Sequence, residues 1–469
     1  MNLGHVLHTT VLVCAGYLVL LYSSYAALTV IGVFENLRRR DEAELEDFET
    51  MGESAFTPSV SIVLAGYNEE ATIVSAVTSL LALDYPTFEV IVVNDGSSDD
   101  TIGRLREAFD LLPVEIAGRR AVPTEPVRAF HRSRSDARLV VVDKENGGKA
   151  DALNAGLNLS RHRYVCGVDA DTVFAPDALL RTMRAFAREP GRVIGLTSYV
   201  EIAGNPNVAM SAPPGRRAVD DKLLLRFQCL DYLRAFFNNR IAWSRLDFML
   251  CAIGVFQVWR RDQLEEMGGW SRSFTCEDIE LTFRVHQQMR SLGRPYRIVC
   301  LPDTVGVTEG PNTMRKLIAQ RERWQRVTLE TWWAYRRMCF NPRYGAVGML
   351  GMPFYLLSEI LAPLFEVATV ATIVAGAAAG LIDWRLCAWA TLLITFANGV
   401  FSAAAVLAVE IQSRTYRSSA SARLLLLGPL ELFLYRPVLG WARVKGTWRF
   451  LRGDKGWHKF ERNLAVKPA

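Results

Sequence analysis

Val6 to Phe34 is a run of 29 residues without an Asp, Glu, Lys or Arg. A helix of roughly 20 residues crosses the hydrocarbon core of a bilayer, so this run crosses it with length to spare. A secretory leader would have an apolar stretch of about 7–15 residues behind a basic start. Here the stretch is longer and no Lys or Arg precedes it, so a transmembrane helix is expected over residues 1–36. Arg38, Arg39 and Arg40 follow directly. Cations flank the cytoplasmic end of a span, so the middle of the chain is expected in the cytoplasm.

A second apolar block follows Tyr344. Gly345 to Ile382 holds only Glu359 and Glu366 as charges, and Pro363 divides it. The reading is a membrane-surface helix followed by a span. Leu386 to Val409 is free of charge and is a clear span, whereas Glu431, Arg436 and Pro437 interrupt Leu424 to Trp441. From Arg436 to the C-terminus nine Lys or Arg face only Asp454 and Glu461, and Trp441, Trp448 and Trp457 are interleaved with them. Cations with Trp suit a cytoplasmic membrane surface bearing anionic lipid, which favours two C-terminal spans and a surface-lying third element. No nucleic-acid-binding motif accompanies the patch, so nucleic acid is not expected as a partner.

Between the apolar blocks lies a normally charged middle. At 469 residues the chain is too long for one ordinary domain, and with 50% hydrophobic residues it is not a disordered one. Eight scattered cysteines include no CxxC pair, so neither a zinc site nor a disulfide framework is expected, and the thiols suit a reducing compartment. Asp41 to Glu49 carries six acids and reads as part of a solvated linker over 37–56. The expected organisation is then a soluble domain over 57–338, interfacial and transmembrane helices over 339–442, and a basic tail over 443–469.

The soluble part alternates strands and helices. Val60–Ala65, Phe88–Val93, Arg138–Val142 and Tyr164–Val168 are short apolar runs rich in β-branched residues, and Ala71–Leu83 reads as a helix between the first two. Such alternation predicts an α/β fold with a mainly parallel sheet, whose ligands bind at the carboxyl ends of the strands. Asn94/Asp95, Asp143/Lys144 and Asp169/Asp171 all fall at those ends.

Four motifs carry chemistry. Asp169 and Asp171, spaced i, i+2 at a strand end, can together hold one hard divalent cation that bridges a diphosphate. Asn146-Gly147-Gly148-Lys149 supplies a flexible loop and a cation at a helix start, where phosphate is attracted. Glu277 and Asp278 open another helix, and Asp278 is a candidate general base toward an acceptor hydroxyl. Gln320, Arg323 and Trp324 share one helical face and offer an amide, a cation and an indole to a diphosphate with a sugar beside it. Each motif alone also fits a plain structural role. The acids can be solvated in a turn, GGK can be a helix-entry turn, Thr275 with Asp278 fits a capping box, and Arg with Trp is common on helices near membranes.

Taken in order, the strand-end Asp, the GGK loop, the D-x-D, the helix-start Glu-Asp and the QxxRW before membrane spans resemble the membrane-embedded family-2 glycosyltransferases. That group contains the cellulose, hyaluronan and poly-N-acetylglucosamine synthases, and DKENGGKADALNAG looks most like the poly-N-acetylglucosamine branch. The resemblance covers roughly residues 1–465. It implies a GT-A fold, an inverting mechanism, a UDP-sugar donor (GlcNAc or glucose) and Mg2+ or Mn2+ as cofactor. Tyr67, Glu69, Asp95, Lys149 and Asp169 match nucleotide-sugar-binding positions, and Asp169 and Asp171 the metal pair. Asp278 matches the catalytic base, and Glu277, Gln320, Arg323 and Trp324 the acceptor and diphosphate positions.

The resemblance also implies a multi-pass protein of the inner membrane with a cytoplasmic catalytic domain. A polysaccharide or lipid is its acceptor, membrane lipids surround it, and an accessory membrane subunit is a further partner. The sequence departs from the family pattern at three places. Ala65-Gly66 stands where Pro-Ala is usual, Cys276 replaces a Thr, and Gln325-Arg326-Val327 follows Trp324. Two other readings are single-sugar transfer to a lipid and a membrane-anchored nucleotide-sugar-binding protein without catalysis.

Overall fold

The computed structural model describes residues 3–44, 48–54, 56–116, 119–212 and 216–454. They form two units. One, built on a sheet, comprises Arg40–Arg217 and Met249–Gly310. The other is helical and comprises Met1–Arg39, Ala218–Phe248 and Pro311–Gly456.

The sheet unit contains ten strands: β1 (Val60–Gly66), β2 (Phe88–Asp95), β3 (Leu111–Val114), β4 (Val127–Ser133), β5 (Leu139–Lys144), β6 (Tyr164–Asp169), β7 (Thr172–Phe174), β8 (Val193–Ala203), β9 (Phe256–Arg260) and β10 (Arg297–Glu309). Their order is β3-β4-β5-β2-β1-β6-β9-β8-β10-β7. The four strands read from the sequence, β5, β2, β1 and β6, are parallel neighbours at its centre. Both faces are buried there, so side chains of either parity are apolar and the strands read as continuous Val/Ile runs. The helix Ile73–Leu81 buries Ile73, Ala76, Val77 and Leu80, an i, i+3, i+4, i+7 stripe. That stripe joins Ile62, Leu64, Val90, Val92, Tyr164 and Val168 in the main core.

The topology locates a crevice. From β1 the chain builds outward through β2 to β5, then returns to lay β6 on the other side of β1. Such a reversal opens a cleft at the carboxyl ends of the strands. Gly66 pairs with Asn94 and Ala65 with Asp169, so the three strand ends are level. Antiparallel β9 then runs down beside β6, with Phe256 opposite Val168. The chain entering β9 therefore arrives at the Asp169 end.

Among the described residues three helices are long and apolar enough to cross a membrane: Gly4–Glu42, Val347–Ala378 and Trp384–Ser413. Ser418–Leu434 and Arg436–Leu451 form a pair bent by 51°. The segment before Pro363, expected to be a separate surface helix, instead joins the span that follows in one 32-residue run. Pro363 sits in the first turn of Ala362–Ala378, where its missing N–H is not needed, and π-helical turns at Val347–Gly351 and Leu356–Ile360 carry the chain into it. The helix opening the chain continues to Glu44, through the first acids of the stretch read as a linker.

The cations of Arg436–Leu451, read as facing anionic lipid, find acids within the unit. Arg443 lies 2.9 Å from Glu359, Lys445 lies 2.8 Å from Glu322, and Arg449 also pairs with Glu322. Trp441 and Trp448 are exposed. Trp457 and the rest of 455–469 lie outside the described residues.

Candidate active site

Asp169 ends β6, and Asp171 lies in the turn to β7, where its Oδ1 accepts from Thr308 Oγ1 at 3.2 Å. Lys149 opens the helix Lys149–Leu159. Its Nζ lies 2.7 Å from Asp169 Oδ1 and 3.0 Å from Glu277 Oε1, so one ammonium joins the D-x-D turn to the start of the helix Glu277–Ser291. Burial opposes the charge on Lys149, but Asp169, Glu277 and Asp278 outweigh it and hold its pKa well above the ordinary lysine value. Burial raises Asp169 to about 6, with Lys149 pulling it down and the charge of Asp171 pushing it up.

Asp278 is held by three donors. The peptide N–H of Gly254 reaches its Oδ2 at 2.6 Å, while Ile279 N–H at 2.6 Å and the Cys276 thiol at 2.8 Å share its Oδ1. Burial raises the pKa of that thiol well above the usual value, and Asp278 and Glu277 raise it further, so Cys276 stays a donor. The capping box expected from Thr275 and Asp278 is not formed as read. The N-cap is Cys276, whose side chain makes no capping bond, and Asp278 is turned instead toward Gly254.

Asp95, read as a nucleotide-binding residue, is tied to the GGK loop. It is buried, and Lys144 Nζ lies 2.7 Å from its Oδ1. Gly147 N–H donates to the same oxygen at 3.0 Å and Gly148 N–H to Oδ2 at 2.8 Å. Its carboxylate thus anchors the GGK loop from below. Gly148 turns its N–H to Asp95 at φ 87°, ψ 169°, a conformation essentially restricted to glycine. Lys144 is fully buried and also meets Asp151 at 2.5 Å, and Arg272 lies 3.1 Å from the other Asp151 oxygen. Sequence reasoning noted Lys144 at a strand end but not this network. It missed Gly254 altogether, because a glycine within the apolar stretch Met249–Val255 gives no signal.

At the mouth of β1, Tyr67 is half-buried and Glu69 is buried, its Oε2 accepting from Thr72 Oγ1 at 2.9 Å. Gln320, Arg323 and Trp324 belong to the helical unit, on the helix Met314–Tyr335. The Trp324 ring carries the Arg321 guanidinium 4.3 Å from its centre, and Arg321 pairs with Asp231 at 2.9 Å. The Gln320 carbonyl oxygen is buried without a hydrogen-bond partner among the described residues.

The family described as "Glycosyl transferase family 2" matches residues 61–246, and the one described as "Glycosyl transferase family group 2" matches residues 164–402. The second match covers half of the chain. The chain belongs to the family-2 glycosyltransferases. A poly-beta-1,6-N-acetyl-D-glucosamine synthase of Staphylococcus epidermidis is 26% identical over 283 residues, 59% of this glycosyltransferase and 57% of that protein. The synthase of the same description from Staphylococcus aureus strain COL is 26% identical over 268 residues, 56% and 53% of the two chains. The matched stretch thus spans little more than half the length of these curated relatives.

Among solved structures, a mannosyltransferase from Pyrobaculum calidifontis, in complex with GDP-Man and Mn2+, superimposes with a TM-score of 0.54 at 19% identity. It covers 92% of this chain and 99% of that one. The glycosyltransferase has the GT-A fold, a mixed, mostly parallel sheet with helices, as the sequence motifs implied.

Proposed function

We propose that this enzyme is an inverting hexosyltransferase that moves N-acetylglucosamine from a UDP-sugar onto a growing polysaccharide at the inner face of the membrane, with the polymer passing outward. The observation that carries this reading is the Lys149 ammonium between Asp169 and Glu277, one residue from Asp278. A candidate base and a candidate phosphate-binding cation thereby stand at one strand end. The names of the staphylococcal synthases support the sugar and the polymer, and the three apolar helices support the membrane setting.

Lys149 Nζ lies against Asp169 and Glu277, with Asp278 close by, so this cluster carries more acids than cations. A diphosphate entering it needs added positive charge. Among the described residues no group of three or more His, Cys, Asp or Glu is placed to hold a metal ion. Asp169 and Asp171, two carboxylates at one strand end, would hold such a cation. Bound there, Mg2+ or Mn2+ would supply charge stabilisation for the leaving UDP.

The chain's own residues do the rest. Tyr67 and Glu69 flank the nucleoside. Lys149 exchanges Asp169 and Glu277 for the diphosphate, and Asp95 with Lys144 keeps the loop beneath it rigid. Asp278 accepts the proton of the acceptor hydroxyl as that oxygen attacks the anomeric carbon opposite the nucleotide, and one displacement inverts the centre. Gln320, Arg323 and Trp324 are assigned to the acceptor and the diphosphate.

Purified protein in lipid, given each UDP-sugar with Mg2+ or Mn2+, tests the proposal through the mass of its products. A polymer of N-acetylhexosamine is expected. One sugar on a lipid overturns the polymer, and no UDP release from any donor overturns catalysis.

A further inference from the structure

Gly254 lies in the turn that leads into β9, buried between the strand end that carries Asp169 and the helix that carries Asp278. Its φ is outside the left-handed region that favours glycine. The reason for glycine is therefore space. A Cβ here would stand 2.8 Å from Lys149 Nζ, 3.0 Å from Asp278 Oδ2 and 3.4 Å from Glu277 Oε1. The first distance is shorter than real Cβ contacts allow, and the second is at the limit. All three atoms belong to groups that the proposed chemistry uses. The same residue donates its peptide N–H to that Asp278 oxygen at 2.6 Å.

The turn itself is tied in place. Ala252 N–H donates to Thr282 Oγ1 at 3.1 Å, and that hydroxyl donates to the Asp278 carbonyl at 2.8 Å. Pairing of Val168 with Phe256 fixes its far end against β6. Gly254 is thus held on both sides while its missing side chain leaves the volume that the ammonium occupies.

We infer that Gly254 is a positioning residue for the transfer reaction, orienting the Asp278 carboxylate through its peptide N–H and leaving room for Lys149 to reach Asp169 and Glu277. The inference rests on the proposed glycosyl transfer. A methyl group at this position displaces the ammonium and crowds the carboxylate without disturbing the backbone.

The test is a double-mutant cycle of Gly254→Ala with Lys149→Met, read as kcat, KM and thermal midpoint of the full-length protein in lipid. Gly254→Ala is expected to lower kcat by at least about tenfold, a part of the roughly 10²–10⁴-fold that a general base contributes. In the Lys149→Met background its cost should shrink by at least about threefold, since the group it collides with is gone. A kcat within about twofold of wild type overturns the inference. So does a loss of equal size in both backgrounds, and so does a chain that fails to fold in both. If wild type releases no UDP from any donor, the functional proposal falls. The inference is then read from the midpoints alone. Gly254→Ala should lower the midpoint and added Lys149→Met should recover it, and absence of that recovery overturns it.

Discussion

The ammonium of Lys144, wholly buried, lies 2.7 Å from Asp95 Oδ1. The two residues face each other in register on adjacent strands β2 and β5. Breaking a buried pair leaves an uncompensated charge, at a cost of about 3–5 kcal/mol. Here Asp95 keeps two loop N–H groups and Asp151 keeps Arg272, so the low end applies. Lys144→Met should lower the thermal midpoint by roughly 6–12 °C for a unit of this size. Adding Asp95→Asn removes the stranded charge and should recover part of the loss. A Lys144→Met midpoint equal to wild type would show that the pair contributes nothing to the folded state.

Asp278→Asn should abolish transfer while leaving UDP binding near wild type. The amide oxygen can still accept the Gly254 N–H, but the NH2 then faces the Ile279 N–H, so some stability is lost, and the side chain no longer takes up a proton. Loss of a general base costs about 10²–10⁴-fold in rate. Activity above about a tenth of wild type removes Asp278 from the proton-transfer step.

Asp171→Ala should lose metal-dependent donor binding. With Asp169 and Asp171 proposed as its protein ligands, Mn2+ alone should bind weakly and UDP should strengthen its binding. Calorimetry with UDP, with and without Mn2+, measures both. An unchanged metal dependence in Asp171→Ala would place the cation on other residues.

The parts of the fold legible in the sequence were those with one dominant physical cause. β1, β2, β5 and β6 are buried on both faces and read as apolar runs. By contrast β10 contains Pro302 and Asp303, its register against β8 shifts there, and the buried Asp303 pairs with Arg184 at 2.7 Å. β9 contains a buried Gln257 that accepts the Trp259 indole N–H, which breaks its apolar run. In the candidate site, charged residues at strand ends announce themselves. The contact of Asp95 with Lys144 was not legible, because its partner stands 49 residues away, on a strand whose adjacency only the topology reveals. Gly254 was invisible because its contribution is an absence of atoms.

Trp324 belongs to the helical unit, where its ring stacks under Arg321 and lies 6.3 Å from the Tyr232 ring. An indole beside polar groups offers a flat face for a sugar, and such stacking acts on the acceptor's position rather than on the donor. Trp324→Ala should therefore impair transfer to sugar while sparing UDP-sugar affinity and its slow hydrolysis. Arg321 keeps Asp231 at 2.9 Å, so it stays anchored when the ring is gone, and the stability loss should be limited to about 0.5–2 kcal/mol for the lost cation–π contact. Comparing hydrolysis with transfer in the same preparation separates the alternatives. If Trp324 only anchors the helix, the variant extracts poorly but turns over normally once folded. Equal loss of hydrolysis and transfer in a well-folded variant contradicts both roles and moves Trp324 to the donor, beside Arg323.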